Sequence, residues 1–177
     1  MATSAADVRS VLSTLRRQGI DPGVSGGWGV DALAGRQTRD HRDLDLSVPA
    51  DHLDRALFAL TGLGFSISVD WLPVRVELTA RQEWIDLHPV RFRPDGSAWQ
   101  AGLDTPDPWS SDQVGGFVYP VDGWAEGCVD GLPVRCISAA LQRQFHSGYS
   151  PRDIDLHDLG VLASLPEQVS RPDQQRS

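Results

Sequence analysis

The chain has 177 residues, of which 40% are hydrophobic, and a formal net charge of −8 with a pI near 4.9. This size fits one compact domain or two small lobes that share a core, and the negative charge argues against a nucleic-acid partner, which would favour a basic surface. The chain contains no long apolar run and no signal-peptide pattern, so we expect a cytoplasmic protein with no membrane partner.

The first half of the chain predicts helices that alternate with strands. Apolar residues three or four positions apart indicate the helices, and apolar residues that alternate with polar ones indicate the strands. The predicted elements are helix 5–18, strand 23–25, a helical turn 28–33, strand 43–48, helix 53–60, and strands 65–70, 74–79 and 84–88. A strand, a helix and a strand followed by hairpin-connected strands predict an α/β (α+β) fold with a mixed sheet flanked by helices.

The second half predicts a long loop, then a hairpin and two helices. Periodicity is lost between Arg91 and Asp122, which is typical of a loop. The predicted elements are a strand within 116–119, a hairpin turned by Asp130-Gly131, a helix capped by Ser138 that ends near 146, and a helix opened by Ser150-Pro151 that ends near 164. We therefore expect a core over 1–92, a C-terminal lobe of loop, hairpin and helices over 93–165, and a disordered tail over 166–177.

Two carboxylates lie on one face of the predicted strand 43–48. Residues two apart on a strand share a face, so Asp43 and Asp45 point away from the core together with His41. Neighbouring like charges destabilise a sheet, and divalent cations with oxygen ligands offset this repulsion. Gly26 and Gly27 allow a phosphate to approach the backbone at the start of the next helix. The pattern predicts a metal–nucleoside triphosphate site, where two metal ions clamp the attacking and leaving oxygens.

These segments resemble a known family. The stretch GGWGVDALAGRQTRDHRDLDL is similar to the first motif of the antibiotic nucleotidyltransferases, members of the DNA polymerase β-like nucleotidyltransferase superfamily. The later segments that look like the lincosamide nucleotidyltransferases are Asp70–Leu78, Asp86–Pro89, Pro133–Ser138 and Phe145–Tyr149. The resemblance covers most of the chain. It implies Mg²⁺-dependent transfer of an NMP group, AMP first among them, from ATP or another NTP to a hydroxyl of a lincosamide-type antibiotic.

The resemblance also implies roles for individual residues. Asp43, Asp45 and Asp86 would hold Mg²⁺, two ions in all, and Asp86 is either a ligand or the base that accepts the hydroxyl proton, with Glu77 as an alternative base. The residues expected around the triphosphate are Ser25, Gly26, Gly27, Arg39 and His41. The residues expected near the acceptor are Arg75, Glu77, His88, His146 and Tyr149. Asp155 and Asp158 match the family in either a structural or a functional role.

Other interpretations of the same residues remain open. An aminoglycoside nucleotidyltransferase shares the first motif, and a nucleotide-binding module without catalysis would also use the glycines. A zinc hydrolase could use His41-x-Asp43-x-Asp45, but it would need further histidines at ligand spacing. Asp31 is taken as a helix-surface acid. A homodimer is expected, because a chain this short needs help to enclose a drug-sized acceptor and because the resemblance is to proteins that pair.

Overall fold

A computed structural model of the protein describes residues 3–106, 115–147 and 149–166. The helices are α1 (Ala5–Arg17), α2 (Gly26–Ala34), α3 (Leu53–Thr61), α4 (Ala139–Phe145) and α5 (Asp153–Ser164). The strands are β1 (Gly23–Ser25), β2 (Asp43–Pro49), β3 (Ser66–Trp71), β4 (Arg75–Ala80), β5 (Glu83–Phe92), β6 (Ala98–Gln100), β7 (Phe117–Tyr119), β8 (Trp124–Val129) and β9 (Leu132–Ile137). The elements predicted from periodicity are present, with boundaries shifted by a few residues.

The strands of the described ranges form one mixed sheet in the order β3-β4-β5-β2-β1-β9-β8, with β6 paired to β5 and β7 to β6. The β2–β5 and β1–β9 pairs are parallel and the others antiparallel. The predicted α/β class with a mixed sheet is therefore confirmed. β8 and β9, from the expected C-terminal lobe, join the same sheet as β1, and the division at residue 92 stays a prediction.

β2 lies inside the sheet because its apolar residues belong to the main core. Leu44, Leu46 and Val48 are fully buried, in a cluster with side chains of α1 and α3. Each such side chain stabilises the fold by about 1.5–3 kcal/mol relative to an exposed one. The alternate residues Asp43 and Asp45 are only partly buried. The period-two prediction for this strand is confirmed.

The helix starts agree with the expected caps at two places out of three. Ser4 and Asp7 form the capping box of α1, and Ser138 caps α4 by accepting from the Leu141 N–H. The prediction for α5 was wrong: Arg152, not Ser150, occupies the N-cap position. The cause is Asp155, whose carboxylate accepts the Arg152 backbone N–H at 2.8 Å and satisfies that donor at the start of the helix.

One strand lies in the region that was predicted to be a loop. β5 extends to Phe92 and turns through Pro94-Asp95-Gly96 into β6, with the Arg93 N–H donating to the Ser97 carbonyl at 2.8 Å. β7, predicted within 116–119, then pairs with β6. Residues 107–114 and the tail beyond Pro166 lie outside the described residues. No helix in the described ranges is long and apolar enough to cross a membrane.

Candidate active site

Four neighbouring strands place polar side chains in one row across the sheet. Ser25 on β1 is opposite Asp45 on β2, Asp45 is opposite Asp86 on β5, and Asp86 is opposite Glu77 on β4. Directly opposite residues point to the same face of a sheet. Asp86 could meet Asp45 only if β5 lay next to β2 with the polar faces of the two strands aligned. The structure has this arrangement.

Asp86 is the most buried carboxylate of the row, with 7% of its surface exposed. Its Oδ1 accepts from Arg75 Nη1 at 2.6 Å. Burial and, next, the negative charge of Asp45 raise the pKa of Asp86 to about 6, while Arg75 opposes this shift. A cation bound beside Asp86, in addition to Arg75, would therefore stabilise the ionised form of the Asp86 carboxylate.

The carboxylates fit a hard divalent cation by their chemistry. Asp43 lies two positions from Asp45 on β2 and is paired with Arg42 at 2.9 Å. Among the residues that the structure describes, no three His, Cys, Asp or Glu side chains gather closely enough to hold a metal ion as they stand. However, Arg42 is 65% exposed and can leave Asp43 at little cost. Asp43, Asp45 and Asp86 thus offer oxygen ligands from adjacent strands, which suits Mg²⁺.

The two glycines at the start of α2 pack against site residues. Gly26 has φ +59°, and a Cβ there would overlap Oδ2 of Asp45. A Cβ on Gly27 would overlap Nδ1 of His41 and Nη2 of Arg39. The glycine pair therefore lets an acid and two basic residues approach the N-terminus of one helix.

Asp31 is not a surface acid, and that prediction was wrong. It is 2% exposed, and its Oδ1 accepts from both the backbone N–H and the hydroxyl of Thr38, at 3.0 and 2.6 Å. Its Oδ2 lies 2.5 Å from His41 Nε2. Asp31 thereby holds the segment between α2 and β2 against α2, because it bonds to the middle of that segment at Thr38 and near its end at His41.

The prediction that His41 shares the open strand face with Asp43 and Asp45 is wrong. It is 2% exposed and packs against Trp28, with ring centroids 4.8 Å apart. Its Nδ1 is buried with no hydrogen-bond partner in the described residues and lies beside Gly27. A contact between His41 and a phosphate stays a prediction.

Arg39 is held beside the glycine turn by the last helix. Its Nε and Nη2 donate to the two oxygens of Asp158 at 2.8 and 2.7 Å, and Asp158 is 2% exposed. His157 of the same helix lies 3.1 Å from the Thr38 hydroxyl. A structural and a functional role were both open for Asp158. Its bonds to Arg39 indicate that it orients this arginine beside the glycine turn.

His146 and Tyr149 meet where α4 ends and α5 begins. His146 Nδ1 is 3.0 Å from the Tyr149 hydroxyl and 3.6 Å from Asp155 Oδ1. Asp155 is 2% exposed and accepts from the Arg152 side chain and backbone. These bonds lower the pKa of Asp155 to about 2. The described contacts join His146 and Tyr149 to α5, and do not join them to Asp86.

The far side of the row offers an open cavity. Arg75 lies over the ring of Trp71, 4.7 Å from its centroid, while it binds Asp86. Glu77 accepts from the Ser68 hydroxyl at 2.7 Å. Trp71 also lines a cavity of about 440 Å³ together with Leu72, Pro73, Val74, Gly102, Leu103 and Thr105. This cavity is large enough for part of a drug-sized acceptor.

Sequence reasoning missed three buried polar residues around the site. Gln142 of α4 is 1% exposed and donates to the Gly26 carbonyl at 3.2 Å. Gln100 of β6 lies beside His88, and Tyr119 of β7 bonds to Gln100. Pro94-Asp95-Gly96 is a turn signal that could have revealed β6 and thus Gln100. No comparable local signal marks the other two.

Known proteins similar to this chain identify its family. The family model described as aminoglycoside-2''-adenylyltransferase matches residues 7–162. A "lincosamide resistance protein" of Staphylococcus haemolyticus is 33% identical over 156 residues, which cover 88% of this chain and 91% of that one. A "2''-aminoglycoside nucleotidyltransferase" of Klebsiella pneumoniae is 26% identical over 143 residues, or 77% and 68% of the two chains.

Solved structures extend the likeness to the fold. The crystal structure of the lincosamide antibiotic adenylyltransferase LnuA with bound lincomycin has a TM-score of 0.80 and 31% identity, and it covers 94% of this chain and 100% of that one. ANT(2'')-Ia in complex with adenylyl-2''-tobramycin has a TM-score of 0.70 at 18% identity, covering 90% and 87%, and shares the fold. The chain therefore belongs to the aminoglycoside-2''-adenylyltransferase family and is a nucleotidyltransferase.

Proposed function

We propose that this enzyme transfers AMP from MgATP to a hydroxyl of a lincosamide antibiotic and releases pyrophosphate. The observation that carries the proposal is the row of Asp45, Asp86 and Glu77 beside the glycine turn of α2. A lincosamide is preferred because the 33% identical relative carries that name and because LnuA was solved with lincomycin.

Asp43, Asp45 and Asp86 would hold Mg²⁺, with two ions expected. When bound, the cation supplies positive charge that stabilises the phosphoryl oxygens during the displacement. Asp86 and Glu77 are the candidates to accept the hydroxyl proton of the acceptor. Arg75 favours the ionised form of Asp86, so the carboxylate is available as a ligand or as a base.

The triphosphate side of the site would be formed by the glycine turn. Backbone N–H groups at the start of α2 provide an anion site, with Ser25 immediately before Gly26 and Gly27. Arg39 and His41 lie against Gly27. A guanidinium in this position would stabilise the charge that develops on leaving pyrophosphate.

The acceptor would bind on the side of β4 and β5. Arg75, Glu77 and His88 lie on the same sheet face as Asp86, and the cavity at Trp71 adds apolar surface. Acids on this face favour a cationic acceptor such as an amine-bearing antibiotic. His146 and Tyr149 are proposed to contact the acceptor from the end of α4.

An aminoglycoside is the second candidate acceptor. The family model carries that description, and a 26% identical relative is named for the same activity. The same charge argument applies to both acceptor classes, so the acidic face does not separate them.

The test incubates the purified enzyme with MgATP and a panel of lincosamides and aminoglycosides, read by mass spectrometry. A gain of one AMP on lincomycin or clindamycin is the expected result. Modification of kanamycin or gentamicin alone would move the enzyme to the aminoglycoside branch. Binding of ATP without modification of any acceptor would favour a nucleotide-binding module.

Assembly and location remain part of the proposal. We expect a homodimer, and a fully active monomer by light scattering at working concentration would reject it. We also expect a cytoplasmic enzyme, because its nucleotide donor would be ATP.

A further inference from the structure

The buried side chain of Gln100 contacts three groups near the carboxylate row. Gln100 is 7% exposed and lies on β6, which pairs with β5. Its Nε2 is 3.2 Å from His88 Nδ1 and 3.4 Å from the Val74 carbonyl oxygen. The Tyr119 hydroxyl donates to its Oε1 at 2.6 Å. Burial raises the pKa of Tyr119 to about 12, so the phenol keeps its proton and remains a donor.

These partners determine which way the amide group points. The Val74 carbonyl oxygen can only accept a hydrogen bond, so the NH₂ group of Gln100 must face it. The reversed amide would place Oε1 against that carbonyl and NH₂ against the donating hydroxyl of Tyr119. The NH₂ group therefore also faces His88.

The orientation of the amide determines the tautomer of His88. Nδ1 faces a donor, so it must be the unprotonated acceptor nitrogen of the ring, and the ring proton lies on Nε2. Nε2 is 3.2 Å from Oδ1 of Asp45 and donates to it. The other oxygen of Asp45, Oδ2, lies close to Gly26, where a side chain would overlap it. Asp45 is thus bonded to His88 through one oxygen and packed beside the glycine turn through the other.

We propose that Gln100 is a positioning residue for nucleotidyl transfer: it fixes His88 as the Nε2–H tautomer, so that His88 orients Asp45 toward the cation. This inference rests on the proposed function insofar as Asp45 holds Mg²⁺. Groups that orient metal ligands typically change metal affinity by about 10- to 100-fold when they are removed. Gln100 itself touches neither substrate nor cation in this proposal.

The first experiment tests the tautomer in the protein without metal or nucleotide. Long-range ¹H–¹⁵N spectra of histidine-labelled enzyme at neutral pH would show which ring nitrogens of His88 carry protons, with its signals assigned by their loss in His88→Gln. We expect a protonated Nε2 and an unprotonated Nδ1. A proton on Nδ1, alone or in addition to that on Nε2, would overturn the proposal.

The second experiment tests the effect on the cation. Gln100→Met keeps the length of the side chain but removes the donor to His88. We expect the Mg²⁺ concentration for half-maximal binding of a non-hydrolysable ATP analogue to rise by about 10-fold in calorimetry, the lower end of the range for groups bonded directly to a metal ligand, because Gln100 acts through His88. An unchanged Mg²⁺ requirement in folded Gln100→Met would refute the positioning role.

Trp99→Phe is the matched control on the same strand. It removes the bond from Trp99 Nε1 to the Gly115 carbonyl, 2.8 Å long, but leaves Gln100 and His88 in place. We expect both variants to lose thermal stability and only Gln100→Met to change the Mg²⁺ requirement. An equal rise of the Mg²⁺ requirement in the two variants would show that Gln100 has only a structural role. If the wild type binds no ATP analogue, the proposed function fails, and the spectra alone still decide the tautomer.

Discussion

Arg39 and Asp158 form a two-point ion pair that joins the segment before β2 to the last helix, with N–O distances of 2.8 and 2.7 Å. The residues are 119 positions apart in the chain. Because Asp158 is 2% exposed while Arg39 is 21% exposed, the carboxylate acts as a buried anchor and the guanidinium faces the glycine turn. The pair links the stability of α5 to the geometry of the proposed triphosphate site.

Asp158→Asn is therefore expected to impair nucleotide binding. The variant keeps the shape of the side chain but removes the charge that holds Arg39, and loss of such a charged hydrogen bond costs about 1.5–3 kcal/mol. We expect a lower melting temperature and a KM for ATP raised by roughly tenfold, or about 1.4 kcal/mol. Asp155→Asn is the matched control, since Asp155 is equally buried on α5 but binds Arg152. A KM for ATP that rose equally in both variants would mean that α5 acts only through stability.

Asp43→Asn and Asp45→Asn should abolish transfer and leave the fold intact. The amide is nearly isosteric but lacks the charge that would hold Mg²⁺. Loss of several kcal/mol of transition-state stabilisation corresponds to a fall in kcat of more than about a hundredfold. Asp130→Asn, in the β8–β9 turn, is the control for loss of one charge. Near wild-type turnover of either site variant under saturating Mg²⁺ would contradict the metal assignment.

Gly26→Ala separates backbone strain from the close approach of Asp45. Gly26 and Gly35 both have positive φ, +59° and +68°, so alanine at either position costs about 1–2 kcal/mol of stability. A Cβ at Gly35 meets nothing within 4 Å, whereas one at Gly26 overlaps the Asp45 carboxylate. We expect both variants to lose stability in denaturant unfolding, Gly26→Ala more than Gly35→Ala because Asp45 must shift, and only Gly26→Ala to lose binding of the ATP analogue. Unchanged affinity in that variant would move the phosphate site elsewhere.

Glu77→Gln should affect the acceptor more than the nucleotide. Glu77 lies opposite Asp86 on the side of the row away from the glycine turn. A charge-assisted hydrogen bond to an acceptor amine would contribute about 1.5–3 kcal/mol, or roughly ten- to a hundredfold in affinity. Steady-state kinetics should show the KM of the acceptor rising while that of ATP stays near wild type. Equal changes in the KM of the acceptor and the KM of ATP would mean that Glu77 has a structural role and does not contact the acceptor.

Asp155 should give acid-dependent stability. Its pKa is lowered from 3.8 to about 2, mainly by the hydrogen bond from Arg152. A carboxyl with a lowered folded-state pKa stabilises the protein above the unfolded pKa, and this contribution is lost as pH falls through the folded pKa. The difference in unfolding free energy between wild type and Asp155→Asn should be constant down to about pH 4 and shrink toward pH 2. A constant difference across this range would show that ionisation of Asp155 is not responsible.

The buried face of β2 and the place of the glycine turn were predictable from the sequence. Alternation around Leu44 and Leu46 is a local property, because a strand with one buried face must alternate. The same holds for Gly26 and Gly27, since few other residues allow such close approach at a helix start. Likewise, the capping residues Ser4 and Ser138 were found because their partners lie three residues away.

The neighbours of each strand were decided only in three dimensions. Alternation does not say that β5 lies parallel to β2 with Asp86 opposite Asp45, because that pairing depends on burial of the whole core. Asp31 was misjudged because its partners, Thr38 and His41, reach it only when the segment before β2 folds back. Helical spacing alone cannot reveal such a contact.

The sequence by itself thus determined the chemistry of this protein: the acids of β2, the glycine turn and the family that they indicate. The tertiary structure decided which side chains support them. Gln100 reaches His88 through the turn between β5 and β6, and Asp158 reaches Arg39 through the docking of α5. The bonded residues are 12 and 119 positions apart in the chain. The physical reason is that pairing of β6 with β5 and packing of α5 bring them together, and periodicity within one element reports neither.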